Sequence, residues 1–365
     1  MKKRLSTKTG SVASFRDYAR HLLTFDSDDP ATFTSHTVPA AEVMLASARA
    51  PIPWPSGKAP KPAPLASKPS AASPLPACDY LVVTWTVEEA KCLADTLTPG
   101  FGSKTAWYPY AHNFASQYAA LIRKGAPAQE SKRLGSYFPA KIAGKKVLCF
   151  KSELHLSQDG PKMPISKLWG QLIAEARPRL VITTGTAGGI GAAVELGDVV
   201  VAPAVQFDCT REFKAAPFHN SKYPCSKLKT TSFSVASKLF AANLSHLPPA
   251  SRPPKIFTRP TTAEKNTDVV TTDFFAYDDT DDTFGLQGLG AAVEMGDAVL
   301  GLVIQALGSS APQWIAVRNV SDPQMDTTGL TPEEVRKKAA QIYERFGYWT
   351  TIPSAITCWS LIVDN

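Results

Sequence analysis

The sequence predicts an α/β protein of three layers, α/β/α, in which helices cover a central mixed, twisted sheet. Short apolar runs rich in valine and isoleucine, typical of buried strands, alternate with longer segments whose apolar residues recur at helical spacing. The alternation continues from residue 79 towards the end of the 365-residue chain, a length that can bury a large core. Both observations favour a largely parallel or mixed sheet that is covered by helices.

Five segments have the composition of strands, because each is a short run dominated by apolar and β-branched residues. We expect them to form the central sheet. They cover 79–85, 145–152, 179–185, 198–207 and 313–322.

Four segments of the same region have helical periodicity, namely 87–97, 165–177, 291–308 and 331–349. The third is apolar on nearly every face, so we expect it to be buried on several sides. At the start of the fourth, Thr331 suits the N-cap and Pro332 the first helical position, and Glu334 completes a capping box.

The first 77 residues differ in composition from the rest and predict an N-terminal appendage to a main body over 78–365. Residues 50–77 are mainly proline, alanine, serine and lysine, which is the composition of a largely flexible linker. Residues 11–25 predict an amphipathic helix, and 39–50 a second, short one. One face of the first helix carries Phe15, Tyr18, Leu22 and Leu23.

Composition argues against several classes of protein. The net charge of +7 comes from scattered lysines and arginines without a basic run, so we expect no nucleic-acid partner. The sequence has no apolar run long enough to span a membrane, and no apolar segment of a signal peptide follows the basic start. The six cysteines form no CxxC pair, which favours free thiols and a cytoplasmic protein. The histidines lack metal-binding spacing, so we expect no metal and no other cofactor.

Residues 184–191, TGTAGGIG, place four glycines directly after an apolar run. A dinucleotide fingerprint is one interpretation, and YPCSK at 223–227 supplies the tyrosine–lysine pair of short-chain dehydrogenases. A strand follows where that fingerprint requires a helix, which argues against it. Two interpretations stay open: a tight turn between strands, or a backbone without side chains because a ligand approaches it closely.

Four short motifs favour the ligand. TGTAGG, LGDVVVA, AVEMGDA and AVRNVSD occur in this order, and the pattern resembles the nucleoside phosphorylase and nucleosidase superfamily. The resemblance is closest to the methylthioadenosine/S-adenosylhomocysteine nucleosidase branch and extends, with gaps, over 79–322. It implies a nucleoside phosphorylase-like fold with a small-molecule nucleoside against the glycine turn, at Thr186 and Gly188. It also implies a homodimer or larger homo-oligomer, in which a neighbour's loop closes the active site.

The resemblance implies two catalytic carboxyl groups that cleave the N-glycosidic bond of a purine nucleoside or related nucleotide. Asp322, at the end of AVRNVSD, matches the acid that acts at the purine N7, a role that requires a pKa raised by burial. Glu89 matches the carboxylate that activates water, although a shift of one position would select Glu88 instead. Arg318 is then expected to orient the acid loop, and Ser321 to support the edge of the base.

The resemblance also implies contacts to the substrate. Phe275 matches a ring that stacks on the purine, although a core aromatic is an equal interpretation, and the backbone of Ala276 matches a contact to the base. Met295 matches a methionine packed under the sugar. The family usually has V-E-M-E there, and its second glutamate grips the ribose hydroxyls, but this chain has Gly296. Either Asp297 or Glu294 takes over that role, or the sugar of the substrate differs from a free ribose.

The nucleophile distinguishes the candidate activities. Phosphorylases of this superfamily bring arginines to the phosphate from two places, which here read TWTVEEA and ITTG, without arginine. We therefore predict a hydrolase, in which Thr186 hydrogen-bonds the water. A phosphate-dependent phosphorylase and an inactive nucleoside-binding protein of the same fold are the alternatives. The loop 154–167 offers His155, Asp159 and Lys162 as further specificity residues.

Overall fold

The computed structural model describes residues 12–33, 49–247, 251–258 and 266–365. Within these residues, the strands join into one mixed sheet, and helices pack against it. The predicted α/β class is therefore confirmed. The strands are β1 (Lys61–Pro62), β2 (Tyr80–Thr84), β3 (Tyr108–Tyr110), β4 (Gly135–Ile142), β5 (Lys145–Ser152), β6 (Leu180–Gly189), β7 (Val199–Val201), β8 (Ala204–Phe207), β9 (Lys222–Pro224), β10 (Ile256–Phe257), β11 (Val269–Thr271), β12 (Ala292–Glu294) and β13 (Gln313–Asp322).

The centre of the sheet is parallel. β2 pairs with β5 on one side and with β6 on the other, and β6 pairs in turn with β13. Parallel neighbours end at the same edge of a sheet, so the carboxyl ends of β2, β6 and β13 lie together. β12 pairs antiparallel with the last residues of β6 and parallel with β11, which brings a fourth strand to that edge.

The α-helices form two packed groups. α7 packs against α2 and α5 and also covers β13 and β6, whereas α4 packs against α6. None of the described helices is both long and apolar enough to cross a membrane. The helices are α1 (Val12–Thr24), α2 (Val87–Leu97), α3 (Pro127–Ser131), α4 (Pro164–Ala176), α5 (Phe233–Phe240), α6 (Asp297–Leu307) and α7 (Pro332–Asp364).

Strong local signals in the sequence predicted the first and last residues of several elements correctly. α2, β5 and β13 have the predicted bounds. The capping box at Thr331 and Glu334 is present, and Thr86 and Glu89 form a second one at the start of α2. Each box satisfies backbone N–H groups that the first helical turn leaves unpaired.

The predicted helix over 291–308 is wrong in its first residues. Ala292–Glu294 form β12, and the helix begins only at Asp297. An apolar run does not by itself distinguish a buried strand from a buried helix, and here the pairing with β6 and β11 decides.

Other bounds also differ from the prediction. The glycine segment is not a turn, because β6 continues through it to Gly189. The predicted strand over 198–207 divides at Pro203, which has no backbone N–H to donate, into β7 and β8. α7 extends beyond residue 349 to Asp364.

The N-terminal segments differ from the predicted flexible appendage where the structure describes them. Phe15 and Leu23 of α1 are buried, and so are Ile52 and Leu75. In addition, Lys61–Pro62 pairs with β4 at an edge of the sheet. The short helix predicted over 39–50 lies almost entirely outside the described residues.

Candidate active site

A cavity lies where β2, β6 and β13 end. The catalytic and substrate-binding residues that the resemblance implies all line it except Asp297, whereas of the further specificity residues His155 lines it and Asp159 and Lys162 do not. The three strand ends and the adjacent turns supply Trp85, Thr86, Thr186, Ala187, Gly188, Arg318, Ser321 and Asp322. The other described lining residues are Ala19, Leu22, Leu23, Glu89, His155, Thr272, Phe275, Ala276, Val293, Glu294, Met295 and Tyr343.

Glu89 enters the cavity from the first turn of α2 and is held from two strand ends. Its Oε1 accepts hydrogen bonds from the backbone N–H and the hydroxyl of Thr186, at 2.7 and 2.6 Å. Its Oε2 accepts from the Thr84 hydroxyl at 2.6 Å and from the backbone N–H groups of Trp85 and Thr86 at 3.0 and 2.9 Å. Burial opposes the ionised form, but the Arg318 charge and these hydrogen bonds outweigh burial and lower the pKa of Glu89.

The structure distinguishes the two neighbouring glutamates, Glu88 and Glu89. Glu88 does not line the cavity. Its carboxylate accepts hydrogen bonds from the backbone N–H and the hydroxyl of Ser27, at 2.7 and 2.9 Å. Burial raises the pKa of Glu88. Glu89 is thus the acid of this pair that reaches the candidate site.

Asp322 ends β13 on the opposite side of the glycine segment. The register of β13 against β6 shifts between Val320 and Asp322, and such irregularities re-aim side chains next to functional sites. Burial raises the pKa of Asp322 to about 7, although the Ser321 hydroxyl, which donates to Oδ1 at 2.7 Å, acts in the other direction. Asp322 therefore retains a proton to near-neutral pH.

Two glycines of β6 make room for these carboxyl groups. A Cβ atom on Gly185 would lie 2.5 Å from the Glu89 carboxyl group, and the φ of +145° at Gly185 also disfavours any other residue. A Cβ atom on Gly188 would lie 3.1 Å from Asp322 Oδ2. The absence of side chains at these two glycines thus makes room for the protein's own carboxyl groups. The sequence interpretation had attributed this absence to a nucleoside that approaches the backbone closely.

Arg318 is engaged by two acids of the β12–α6 segment. Its Nε donates to Asp297 Oδ2 at 2.7 Å, its Nη2 also binds Asp297, and Nη2 lies 3.2 Å from Glu294 Oε2. The Trp85 ring covers the guanidinium, 4.8 Å from its centroid. Arg318 therefore pairs with Asp297, and its predicted role in orienting the Asp322 loop has no contact in the described residues to support it.

The two acids predicted to bind the ribose differ in their position relative to the cavity. Asp297 is fully buried, binds Arg318 and does not line the cavity, so the prediction that it replaces the family glutamate does not fit this geometry. Glu294 lines the cavity. Burial and the Asp297 charge raise its pKa, and its carboxyl group accepts hydrogen bonds from the backbone N–H groups of Gly296 and Asp297.

Trp85 occupies the space opposite Gly296. A Cβ atom on Gly296 would lie 3.2 Å from Cζ2 and 3.4 Å from Cε2 of the Trp85 indole. A glutamate at position 296 therefore requires the indole to move. No described group accepts a hydrogen bond from Trp85 Nε1. This chain has an indole edge where the family pattern predicts a carboxylate.

The remaining predicted residues surround the same space. Phe275 and Ala276 follow β11 and are buried, and Met295 follows β12. The loop after β5 contributes His155, whose pKa burial lowers to about 3, so the ring is neutral. Lys162 of that loop does not line the cavity and donates to the Ala120 carbonyl.

Sequence reasoning missed the residues that reach the cavity from distant elements. Tyr343 arrives from α7 and donates its hydroxyl hydrogen bond to Thr86 at 2.8 Å. Ala19, Leu22 and Leu23 arrive from α1. The apolar face predicted for 11–25 contains two of these residues, but nothing in that pattern says which surface it covers.

The match to a family agrees with this geometry. Residues 106–347 match the family described as the phosphorylase superfamily, and the chain therefore belongs to that superfamily, as predicted. The match includes the glycine segment and Asp322 but begins after Glu89, whose assignment rests on its place in the cavity. Comparison with curated protein sequences gave no match.

Solved structures with a similar fold include the futalosine hydrolase of Helicobacter pylori strain 26695, at 15% identity and TM-score 0.47, over 78% of this chain and 97% of that one. Two 5′-methylthioadenosine/S-adenosylhomocysteine nucleosidases are also similar. That from Helicobacter pylori has 14% identity and TM-score 0.47, over 79% and 99% of the chains. That from Neisseria meningitidis has 15% identity and TM-score 0.46, over 78% and 97%. This likeness carries no information on substrate or activity.

Proposed function

We propose that this protein hydrolyses the N-glycosidic bond of a purine nucleoside or a related nucleotide. The main support is a pair of buried carboxyl groups on one cavity whose pKa values move in opposite directions. The pKa of Asp322 is raised to about 7, and that of Glu89 is lowered. One group can hold a proton at neutral pH while the other is ionised, as an acid and base pair requires.

In this proposal Asp322 is the acid for the leaving base. As the bond between C1′ and N9 breaks, its electron pair moves into the purine, and Asp322 donates its proton to N7. The Ser321 hydroxyl, 2.7 Å from Oδ1, stabilises the carboxylate that remains. Positioned proton transfer of this kind contributes about 10²- to 10⁴-fold to a rate.

Glu89 activates the nucleophile. A water attacks C1′ and becomes the new sugar hydroxyl, and Glu89 accepts the proton that the water loses. Glu89 already accepts five hydrogen bonds, so one must be exchanged for the water. The hydroxyls of Thr186 and Thr84, both at 2.6 Å, make the bonds that side-chain rotation can release, and Thr186, unlike Thr84, lines the cavity. The products are the free base and the reducing sugar.

Water fits the charge of the cavity better than phosphate does. Arg318 is the only lysine or arginine among the described lining residues, and Asp297 and Glu294 already engage it. A phosphate placed here would be desolvated next to Glu89 without a cation of its own. The remaining sequence-based expectations, a homodimer or larger homo-oligomer and a cytoplasmic location, stay predictions.

The test is release of free base from adenosine, guanosine and inosine, with and without phosphate, followed by chromatography of base and sugar. We expect free base and ribose in phosphate-free buffer. Base that appears only with phosphate, together with ribose 1-phosphate, would instead identify a phosphorylase. Binding of a nucleoside without release of base would identify an inactive binding protein.

A further inference from the structure

Helix α1 crosses the cavity, and its first turns are anchored on the side of Phe275. The Phe15 ring is buried between the guanidinium groups of Arg211 and Arg336, each 5.2 Å from the ring centroid. The Tyr18 ring stacks on Phe275, with centroids 6.2 Å apart and 14° between the ring planes. This end of α1 is therefore fixed beside the ring proposed to stack on the purine.

The other end of α1 is anchored beside Glu89. Just after the helix, the backbone N–H and the hydroxyl of Ser27 donate to Glu88, and Lys91 donates to the Ser27 hydroxyl at 3.0 Å. Within the last turn, His21 Nε2 lies 2.7 Å from Glu344 of α7. α1 thus runs from the proposed base side of the cavity to the proposed nucleophile side.

Between these anchors α1 presents an aliphatic surface to the cavity. Ala19, Leu22 and Leu23 line it, at the spacing that places residues on one helical face. None of the three carries a charge or a side-chain hydrogen-bonding group.

We infer that α1 forms the wall of the substrate site in its own chain, and that Leu22 and Leu23 contact the substrate and select an uncharged group on that side. This inference rests on the proposed function and makes it more specific. Nucleosides without a phosphate towards α1 are the substrates, and nucleotides that direct a phosphate there are excluded.

The reason is desolvation. A phosphate against Leu22 and Leu23 loses water and gains no hydrogen bond from this wall, and a buried, unpaired anion is costly. An uncharged group loses little hydration free energy, and it gains from apolar burial against the same side chains. The aliphatic wall therefore acts on the choice of substrate rather than on the reaction at C1′.

The resemblance also implies that a neighbour's loop closes the site, and this stays a prediction. Here α1 of the same chain occupies a wall of the cavity, and it is fixed by contacts to α2, α7 and the segment after β11.

The experiment uses the full chain and measures binding by calorimetry and base release for adenosine and its 2′-, 3′- and 5′-monophosphates. The variants are Leu22→Ala, Leu23→Ala and Leu22→Lys. Leu75→Ala is the control, because Leu75 is also a buried leucine of the N-terminal segment, 5% exposed against 6% for Leu23, but lies outside the cavity.

We expect wild type to bind adenosine at least about 10-fold more tightly than at least one monophosphate, and the two alanine variants to raise the Kd of adenosine about 10-fold. Leu22→Lys should reduce the discrimination against that monophosphate, and Leu75→Ala should bind as wild type does. Two results would overturn this inference and leave the proposed function standing. One is that Leu22→Ala and Leu23→Ala bind and cleave adenosine like Leu75→Ala. The other is that wild type binds every monophosphate as tightly as it binds adenosine. A wild type that neither binds nor cleaves any nucleoside overturns the proposed function and this inference with it.

Discussion

Asp322 and Glu89 carry the same functional group, and their neighbours give them opposite protonation. Glu89 accepts hydrogen bonds from two strand ends and lies within the field of Arg318, which together favour the ionised form despite burial. Asp322 is buried with one hydroxyl donor, so desolvation dominates. The division of roles follows from the Arg318 charge beside Glu89 and from the larger number of donors around that group.

This difference predicts the pH dependence of kcat/KM. The reacting form has Asp322 protonated, and its fraction falls as pH rises through about 7, whereas Glu89 stays ionised because its pKa is lowered. We expect kcat/KM to be nearly constant from pH 5 to 6 and to fall about tenfold per unit above pH 7. The measurement is a pH profile of base release at low substrate. A profile that rises through pH 7 to 9 would mean that Asp322 does not act as an acid.

Gly296 is the residue at which this chain departs from the family pattern. The Trp85 indole lies so close to it that glycine fits better than a residue with a side chain. We expect Gly296→Glu to lower both activity and the thermal midpoint, because its Cβ would meet the indole at 3.2 Å. The double variant Gly296→Glu with Trp85→Ala should lose less stability than the two single substitutions added together, because removal of the indole relieves the close contact.

Gly170→Glu is the control for this prediction, since a Cβ atom on Gly170 has no described heavy atom within 4 Å. Thermal melts and base release give the two readouts. Full activity of Gly296→Glu with an unchanged melt would show that the indole yields freely and that our account of this position is wrong.

At the scale of elements, β6 lies next to both carboxyl groups. Its residue Gly185 is beside Glu89, and its residue Gly188 is beside Asp322. We expect Gly185→Ala to lose at least about 100-fold in activity, since a Cβ atom there lies 2.5 Å from the Glu89 carboxyl group. Gly100→Ala is the matched control: Gly100 also has positive φ, +84°, but open space around it. Equal activity of the two variants would contradict the role assigned to Gly185.

Prediction from sequence succeeded where the signal is local and failed where pairing decides. The capping box at Thr331 and the bounds of α2 follow from neighbouring residues alone. The strand Ala292–Glu294 does not, because AVE is apolar enough for a helix and becomes a strand only beside β6 and β11. The same limit applies to the site: the motifs located Asp322 and Glu294, but the bond between Arg318 and Asp297 is a property of the folded chain.

At the scale of the whole molecule, the described parts of the N-terminal segment, 12–33 and 49–77, contribute buried side chains to the core. Composition suggested a flexible linker over 50–77, since proline and lysine bury little. The structure instead uses a few isolated apolar residues, among them Ile52 and Leu75, and pairs Lys61–Pro62 with β4. Sparse contacts of this kind leave no periodic signal in the sequence.

Deletion of residues 1–33 tests this integration. It removes the buried side chains Phe15, Leu23 and Phe25 from the surface of α7 and from the cavity. Fully burying one such side chain stabilises by about 1.5–3 kcal/mol, so we expect the thermal midpoint to fall by at least about 5 °C and the exposed apolar surface to bind a hydrophobic dye. An unchanged midpoint would restore the interpretation of a separate appendage.

Asp322→Asn, measured for base release from adenosine in phosphate-free buffer, is the most direct test of the central claim that two acids of opposite protonation cleave the glycosidic bond. The amide keeps the shape of the side chain and cannot donate the proton to N7 as a carboxylic acid does. We expect a loss of about 10²- to 10⁴-fold in rate, with adenosine binding and the thermal midpoint retained. Asp326→Asn, an exposed neighbour outside the cavity, should behave as wild type. Asp322→Asn that releases base as fast as wild type would contradict the account.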